Sequence, residues 1–221
     1  MDSTLSFLHL VFVGIVTLFP PVNPVGTAFI VDPLLLGLDH SERKAACKKI
    51  AFYCFVICVI TVIAGSWFLK LFGISIPIVQ IAGGIMICRM GWQLLSSDNG
   101  AKDVGETARP HQGAGSNIEN IIFYPVAFPM TTGAGTISVL LTLSAHGDNS
   151  EFSLHLMNLL ALFVSILIIC LLVYFCYAFT PVLIKRLGAR GEQIVNRLSA
   201  FLVFCVGLQI AIGGISHFIK R

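Results

Sequence analysis

Two short clusters carry the polar groups of two otherwise apolar stretches. Phe19-Pro20-Pro21-Val22-Asn23-Pro24-Val25-Gly26-Thr27 and Phe128-Pro129-Met130-Thr131-Thr132-Gly133-Ala134-Gly135-Thr136 share one frame: Phe-Pro, five residues, Gly-Thr. Proline removes a backbone donor and glycine is a poor helix former, so each cluster interrupts a helix. Asn is a preferred helix cap and Pro is favoured at the first helical position, so Asn23-Pro24 reads as the start of a half-helix. On the shared frame Asn23 falls on Thr132 and Pro24 on Gly133. A helix start offers unpaired amides and a positive dipole end, which suit a carboxylate. Small residues leave room beside it for a solute. Neither cluster contains Lys, Arg, Asp or Glu, so backbone and hydroxyl groups would recognise a zwitterion. The candidate substrate-binding set is Asn23, Pro24, Gly26, Thr27, Thr131, Thr132, Gly133, Gly135 and Thr136.

The rest of the chain must hold these clusters at matched depth. Of 221 residues, 56% are hydrophobic and 11% charged, against about 25% charged in soluble domains. The chain is therefore expected to be an all-α membrane protein in contact with the lipid bilayer. A bilayer core needs about 20 apolar residues as helix. Six stretches meet that need: residues 4–31, 50–69, 78–95, 120–145, a span within 152–179, and 198–216. Asp39 to Lys49 reads as a charged loop leading into the second span. Met1-Asp2-Ser3 lacks the basic start of a cleavable signal peptide, so the first run is expected to stay as a span.

Residues 78–93 align without gaps on 194–209, keeping Ile, Val, Gly and the final Gln. With the paired clusters, this describes a duplicated unit. Three spans per unit force the second to enter from the opposite side, giving two inverted three-helix repeats with broken first and fourth helices. The expected organisation is 1–95 as the first repeat, 96–118 as a flexible cytoplasmic linker and 119–221 as the second repeat. Ten Lys and Arg residues fall in the loops after spans one, three and five, and three on the other side. Both termini should then lie on the outer, periplasmic side.

One break alone is the ordinary packing kink of a membrane helix. Two at matched positions are the better pointer to a transport site. Gly83-Gly84 and Ser199-Ala200 read as packing notches, and Gln93 and Gln209 as bonds across helices near the membrane edge. Arg89, near a span end, reads as a side chain that snorkels to the interface. Asp32 and Glu119, at span ends, read as interfacial. No metal site is expected: six of the seven cysteines sit in apolar runs and read as small apolar side chains. The net charge of +3 is scattered and does not suggest a nucleic-acid partner. Intramembrane proteolysis is disfavoured, because Asp32 has no second Asp at membrane depth and there is no His-Glu-x-x-His. The phosphate loop of a primary pump is absent too. No catalytic residue and no cofactor beyond a coupling proton or sodium ion is expected.

Further motifs give a resemblance. Asn23-Pro24-Val25-Gly26 forms a first block. Pro125-Val126-Ala127-Phe128-Pro129 followed by Gly133-Ala134-Gly135-Thr136-Ile137 forms a second. Phe72-Gly73-Ile74-Ser75-Ile76-Pro77 with Ile81-Ala82-Gly83-Gly84 forms a third, and Asn196-Arg197-Leu198 a fourth. In this order they resemble the MarC family of bacterial inner-membrane proteins over nearly the whole chain. The resemblance implies six spans in the cytoplasmic membrane and a place among neutral amino acid transporters, with glycine and alanine as substrates for some members. Two departures soften the breaks: Ala134 stands where the family often has Pro, and Thr27-Ala28-Phe29 lacks a further Pro. The function expected is secondary transport of a small zwitterionic solute, with a homo-oligomer compatible with it. The competing expectation is a non-transporting partner or assembly factor in a membrane complex.

Overall fold

The computed structural model describes residues 2–96, 118–146 and 152–219; most of the expected linker, at 97–117, lies outside them. Among the described residues every regular element is helical. In order they are α1 (Asp2–Val22), α2 (Pro24–Val31), a 3-10 turn (Asp32–Leu35), α3 (His40–Phe72), α4 (Ile76–Ser96), α5 (Ile118–Ile121), an irregularly wound segment (Ile122–Thr131), α6 (Ala134–His146) and α7 (Phe152–Ile219). Gly188 (φ 64°, ψ 174°) splits α7 into two limbs, in a backbone region that only glycine enters freely.

Among the described residues, five stretches are long and apolar enough to cross a bilayer: Leu5–Leu35, His40–Gly65, Ile76–Ser96, Leu156–Gly188 and Gln193–His217. Ile122–Thr131 and Ala134–Ser144, bent by 60°, make a sixth if the pair counts as one span. Large apolar side chains such as Phe12, Ile63, Trp92 and Ile212 point outward, as the hydrocarbon requires of a helix face in lipid. Backbone polar groups satisfied within helices are what make such a surface stable there.

Two boundaries differ from the sequence reading. The charged run from Asp39 is not a loop but the first turns of α3. A capping box starts it: the Asp39 carboxylate accepts from the Glu42 amide at 2.6 Å, and the Glu42 carboxylate from the Asp39 amide at 3.0 Å. The Glu42 amide bond, the largest cause, holds the Asp39 carboxyl below its ordinary range. At the other difference, the first limb of α7 does not end before Thr180-Pro181 but continues to Gly188.

The second limb of α7 packs antiparallel against α4 through glycines. A Cβ on Gly91 would lie 2.7 Å from the Phe204 amide nitrogen and 2.9 Å from the Ala200 oxygen. A Cβ on Gly207 would lie 2.6 Å from the Cys88 nitrogen and 2.9 Å from the Gly84 oxygen. In the ungapped alignment Gly91 falls on Gly207, Cys88 on Phe204 and Gly84 on Ala200. Each contact is therefore the other with its partners exchanged. Gly84 is a packing notch against Gly207 and Ala211, and Gly83 receives the Ser138 side chain.

Candidate functional site

Both repeated clusters break their helices, at aligned positions but by different means. In the first, Pro20 and Pro21 stay within the last turn of α1. The chain turns on Asn23 alone, which takes the left-handed region (φ 46°, ψ 58°) that Asn tolerates better than most residues. Its Oδ1 accepts from the Gly26 amide at 3.2 Å, so it caps α2 as its type predicts. The second break is broader. Pro125 and Pro129 each force the residue before them out of the helical region: Tyr124 lies at φ −122°, ψ 122° and Phe128 at φ −136°, ψ 127°. Thr132 closes the segment, its amide donating to the Ala127 oxygen at 3.0 Å, and α6 begins at Ala134.

The hydroxyls of the two breaks serve the backbone first. Thr27 donates to the Asn23 oxygen at 2.7 Å, Thr131 to the Val126 oxygen at 2.7 Å, and Thr132 to the Ala127 oxygen. The Asn23 and Ala127 oxygens also accept the amides of Thr27 and Thr132, so there the hydroxyls add a second bond to a carbonyl at the break. At the breaks, two buried polar atoms keep no protein partner among the described residues: Asn23 Nδ2 and Thr136 Oγ1. Their residues are only 4% and 1% exposed. An unmet buried polar group costs about 1–3 kcal/mol, and both lie at the breaks. Of the other candidates, Pro24 and Gly26 are buried in α2, while Gly133 and Gly135 are partly open.

The breaks are joined through a residue the sequence reading missed. The buried Tyr177 hydroxyl lies 2.7 Å from Thr131 Oγ1 and sits beside Thr27. An aromatic residue in an apolar run gives no local sign of such a role. The Tyr177 carbonyl in turn accepts from Arg43, at 3.3 Å from Nε and 3.0 Å from Nη2. Arg43 Nη2 also meets Asp32 Oδ1 at 2.6 Å, with side chains only 8% and 13% exposed. Asp32, expected at a span end, sits in a largely buried ion pair at the end of α2, and the guanidinium already supplies its counter-charge. Glu119, by contrast, is exposed and bonded to Lys49 at 2.5 Å, which holds its carboxyl below the usual range.

Two cavities lie along α6. One, of about 290 Å³, is walled by Pro21, Arg89, Gln93, Phe128, Gly133 and Thr136 among others. The other, of about 360 Å³, has Thr17, Gln80, Thr142 and Gln209 in its wall. The aligned pair Gln93 and Gln209 therefore faces one cavity each, as does the aligned pair Met90 and Val206. Gln80 and Gln93 stand roughly 20 Å apart along α4, at 1.5 Å per residue. Between the cavities, Gly135 rests on the Ile87 side chain and Gly83 on Ser138, whose hydroxyl donates to the Val79 oxygen at 2.6 Å. Thr132 and Thr136 also border, with Leu18 and Val22 of α1, a void of only about 10 Å³. That places the second break against α1 just ahead of Asn23. Arg89 is exposed and borders the cavity of about 290 Å³.

Comparison with known proteins also points to a membrane protein. Residues 8–219 match the description MarC family integral membrane protein. The chain is 29% identical over 211 residues to the inner membrane protein MarC of Salmonella typhimurium, covering 94% of each. It is 27% identical over 217 residues to the protein of the same name in Escherichia coli, covering 98% of each. No solved structure matches it.

Proposed function

The chain belongs to the MarC family of integral membrane proteins, and on that premise we propose that it is a secondary transporter of small neutral amino acids in the bacterial inner membrane. Six spans form two inverted three-span repeats, with both termini on the periplasmic side. The solute sits between the two breaks, and the repeats rock about the glycine contact of α4 with the second limb of α7. The observation that carries this reading is the pair of buried, unpartnered polar atoms, Asn23 Nδ2 and Thr136 Oγ1, at aligned helix breaks. A breach of helical bonding in lipid is tolerated only where protein or a solute path takes up the freed groups. Further support comes from the reciprocal glycine contacts and from two cavities at opposite ends of α4 that share aligned residues.

Alternating access then needs only a small change. The plug between the cavities is thin: Gly135 on Ile87 and Ser138 on Gly83. Sliding α6 against α4 would close one cavity and open the other. Coupling to a proton or sodium gradient supplies the direction. The test is flux of labelled glycine and alanine in proteoliposomes, with and without imposed gradients. Saturable flux that Asn23→Ala and Thr132→Ala abolish, in protein that still inserts and stays monodisperse, is the expected result. Normal flux through the double variant would place the site elsewhere. Flux equal to empty liposomes, together with a stoichiometric partner on purification, would favour an assembly role instead.

A further inference from the structure

We propose that the cavity of about 290 Å³ beside the second break is a carboxylate subsite, in which Arg89 and the first amides of α6 hold the acid group of a small solute. Only the purpose of the site, not its chemistry, rests on the transporter reading. Helix α6 has 13 residues and begins at Ala134. Its first amides have no carbonyl one turn back, and they carry the positive end of the helix dipole. Gly133, Ala134, Gly135 and Thr136 all line the cavity, so that end opens into it. The second observation is Thr136 itself: it is 1% exposed, lines the same wall, and its hydroxyl has no protein partner.

Arg89 adds a full positive charge from α4 across the space. Among the described residues no carboxylate pairs with it: Asp32 is held by Arg43 and Glu119 by Lys49. No acidic residue lines this cavity. A guanidinium and a helix start around one space, with an unpartnered hydroxyl buried just behind its wall, select an anion. The planar fork of Arg fits a carboxylate through two parallel bonds. The volume corresponds to roughly ten waters at about 30 Å³ each, enough for an alanine-sized solute and its hydration. The Gln93 amide, in the same wall, is positioned for the remaining polar end. Cationic solutes are excluded by Arg89.

The experiment is ligand-induced thermal shift of the purified full-length protein in detergent, titrated separately with propionate, glycine and ethylammonium. Wild type is expected to be stabilised by propionate and glycine and not by ethylammonium. Arg89→Gln should weaken both carboxylate ligands roughly tenfold or more, the consequence of losing a charge-assisted bond, and Arg89→Lys should restore part of the loss. Arg89 is exposed and outside the packed core, so the unliganded melting temperature of the variant should match wild type. Propionate affinity unchanged in Arg89→Gln would overturn the subsite, as would a shift produced only by phosphatidylglycerol, which would make Arg89 a lipid-headgroup contact. Flux is measured on the same preparations. Carboxylate binding that depends on Arg89 without any flux would refute the transporter reading and leave the subsite standing. Flux that ignores Arg89 would do the reverse.

Discussion

Replacing Gly91 or Gly207 by alanine tests the α4 packing most sharply, because a single methyl would meet backbone there. The added Cβ would lie 2.7 Å from the Phe204 nitrogen at Gly91 and 2.6 Å from the Cys88 nitrogen at Gly207. Carbon contacts settle near 3.5–4.0 Å, so the helices must part by roughly 1 Å. Backbone cannot rotate aside as a side chain can. A gap of that size forfeits roughly a quarter to a half of each contact it opens. Overpacking of this kind costs about 1–3 kcal/mol, more than alanine's helix propensity returns, at about 1 kcal/mol. The reciprocity adds a second demand: the two substitutions should cost about the same. Gly213, in the same limb, has nothing within 4 Å of its Cβ position, so Gly213→Ala should be neutral or slightly stabilising. The assay is reversible unfolding in mixed micelles, followed by circular dichroism for the three variants side by side. Gly91→Ala and Gly207→Ala as stable as wild type, or Gly213→Ala as damaging as either, would refute the packing argument.

Two further predictions concern the polar contacts around the site. Arg43→Ala leaves Asp32 buried without its counter-charge and the Tyr177 oxygen without its donor; breaking such a pair costs about 3–5 kcal/mol, and Asp32→Asn in the same chain should recover part of it, as read by unfolding in mixed micelles. The Asp39 cap predicts a pH signature. Its folded pKa is lowered by the Glu42 amide, so its contribution is complete above the unfolded value of about 3.9 and is lost as pH falls through the lower folded one. The melting difference between wild type and Asp39→Ala should therefore be constant near neutrality and shrink below about pH 4; a difference that grows on acidification would contradict the capping assignment.

Local chemistry made much of the fold legible. The apolar runs located the candidate spans, since lipid leaves a helix little choice. Prolines and Asn23 marked the breaks because their backbone preferences act within one or two residues. The capping box at Asp39 and Glu42 was equally local, yet the density of charge around it read as a loop. Other features needed the third dimension. Arg43 looked like one basic residue among several, and its burial depends on Asp32 and on a Tyr177 carbonyl far along the chain. Tyr177 gave no periodic or motif signal. Arg89 was placed by depth alone, whereas its bearing on the α6 start follows from how α4 packs on α6. Pro181 lies beyond the expected end of the fifth span, yet the helix runs through it: the Tyr177 carbonyl, left without an amide one turn on, accepts from Arg43 of α3 instead, and the first limb of α7 continues to Gly188.

The measurement that bears most directly on the central claim is solute counterflow. Proteoliposomes preloaded with unlabelled glycine are diluted into a trace of labelled glycine, with no ion gradient imposed. A carrier with one site exposed alternately to each side must accumulate label transiently above equilibrium, and Asn23→Ala should remove the overshoot. Absence of overshoot with glycine, alanine and the other small neutral amino acids, from protein shown to be folded, would contradict the account.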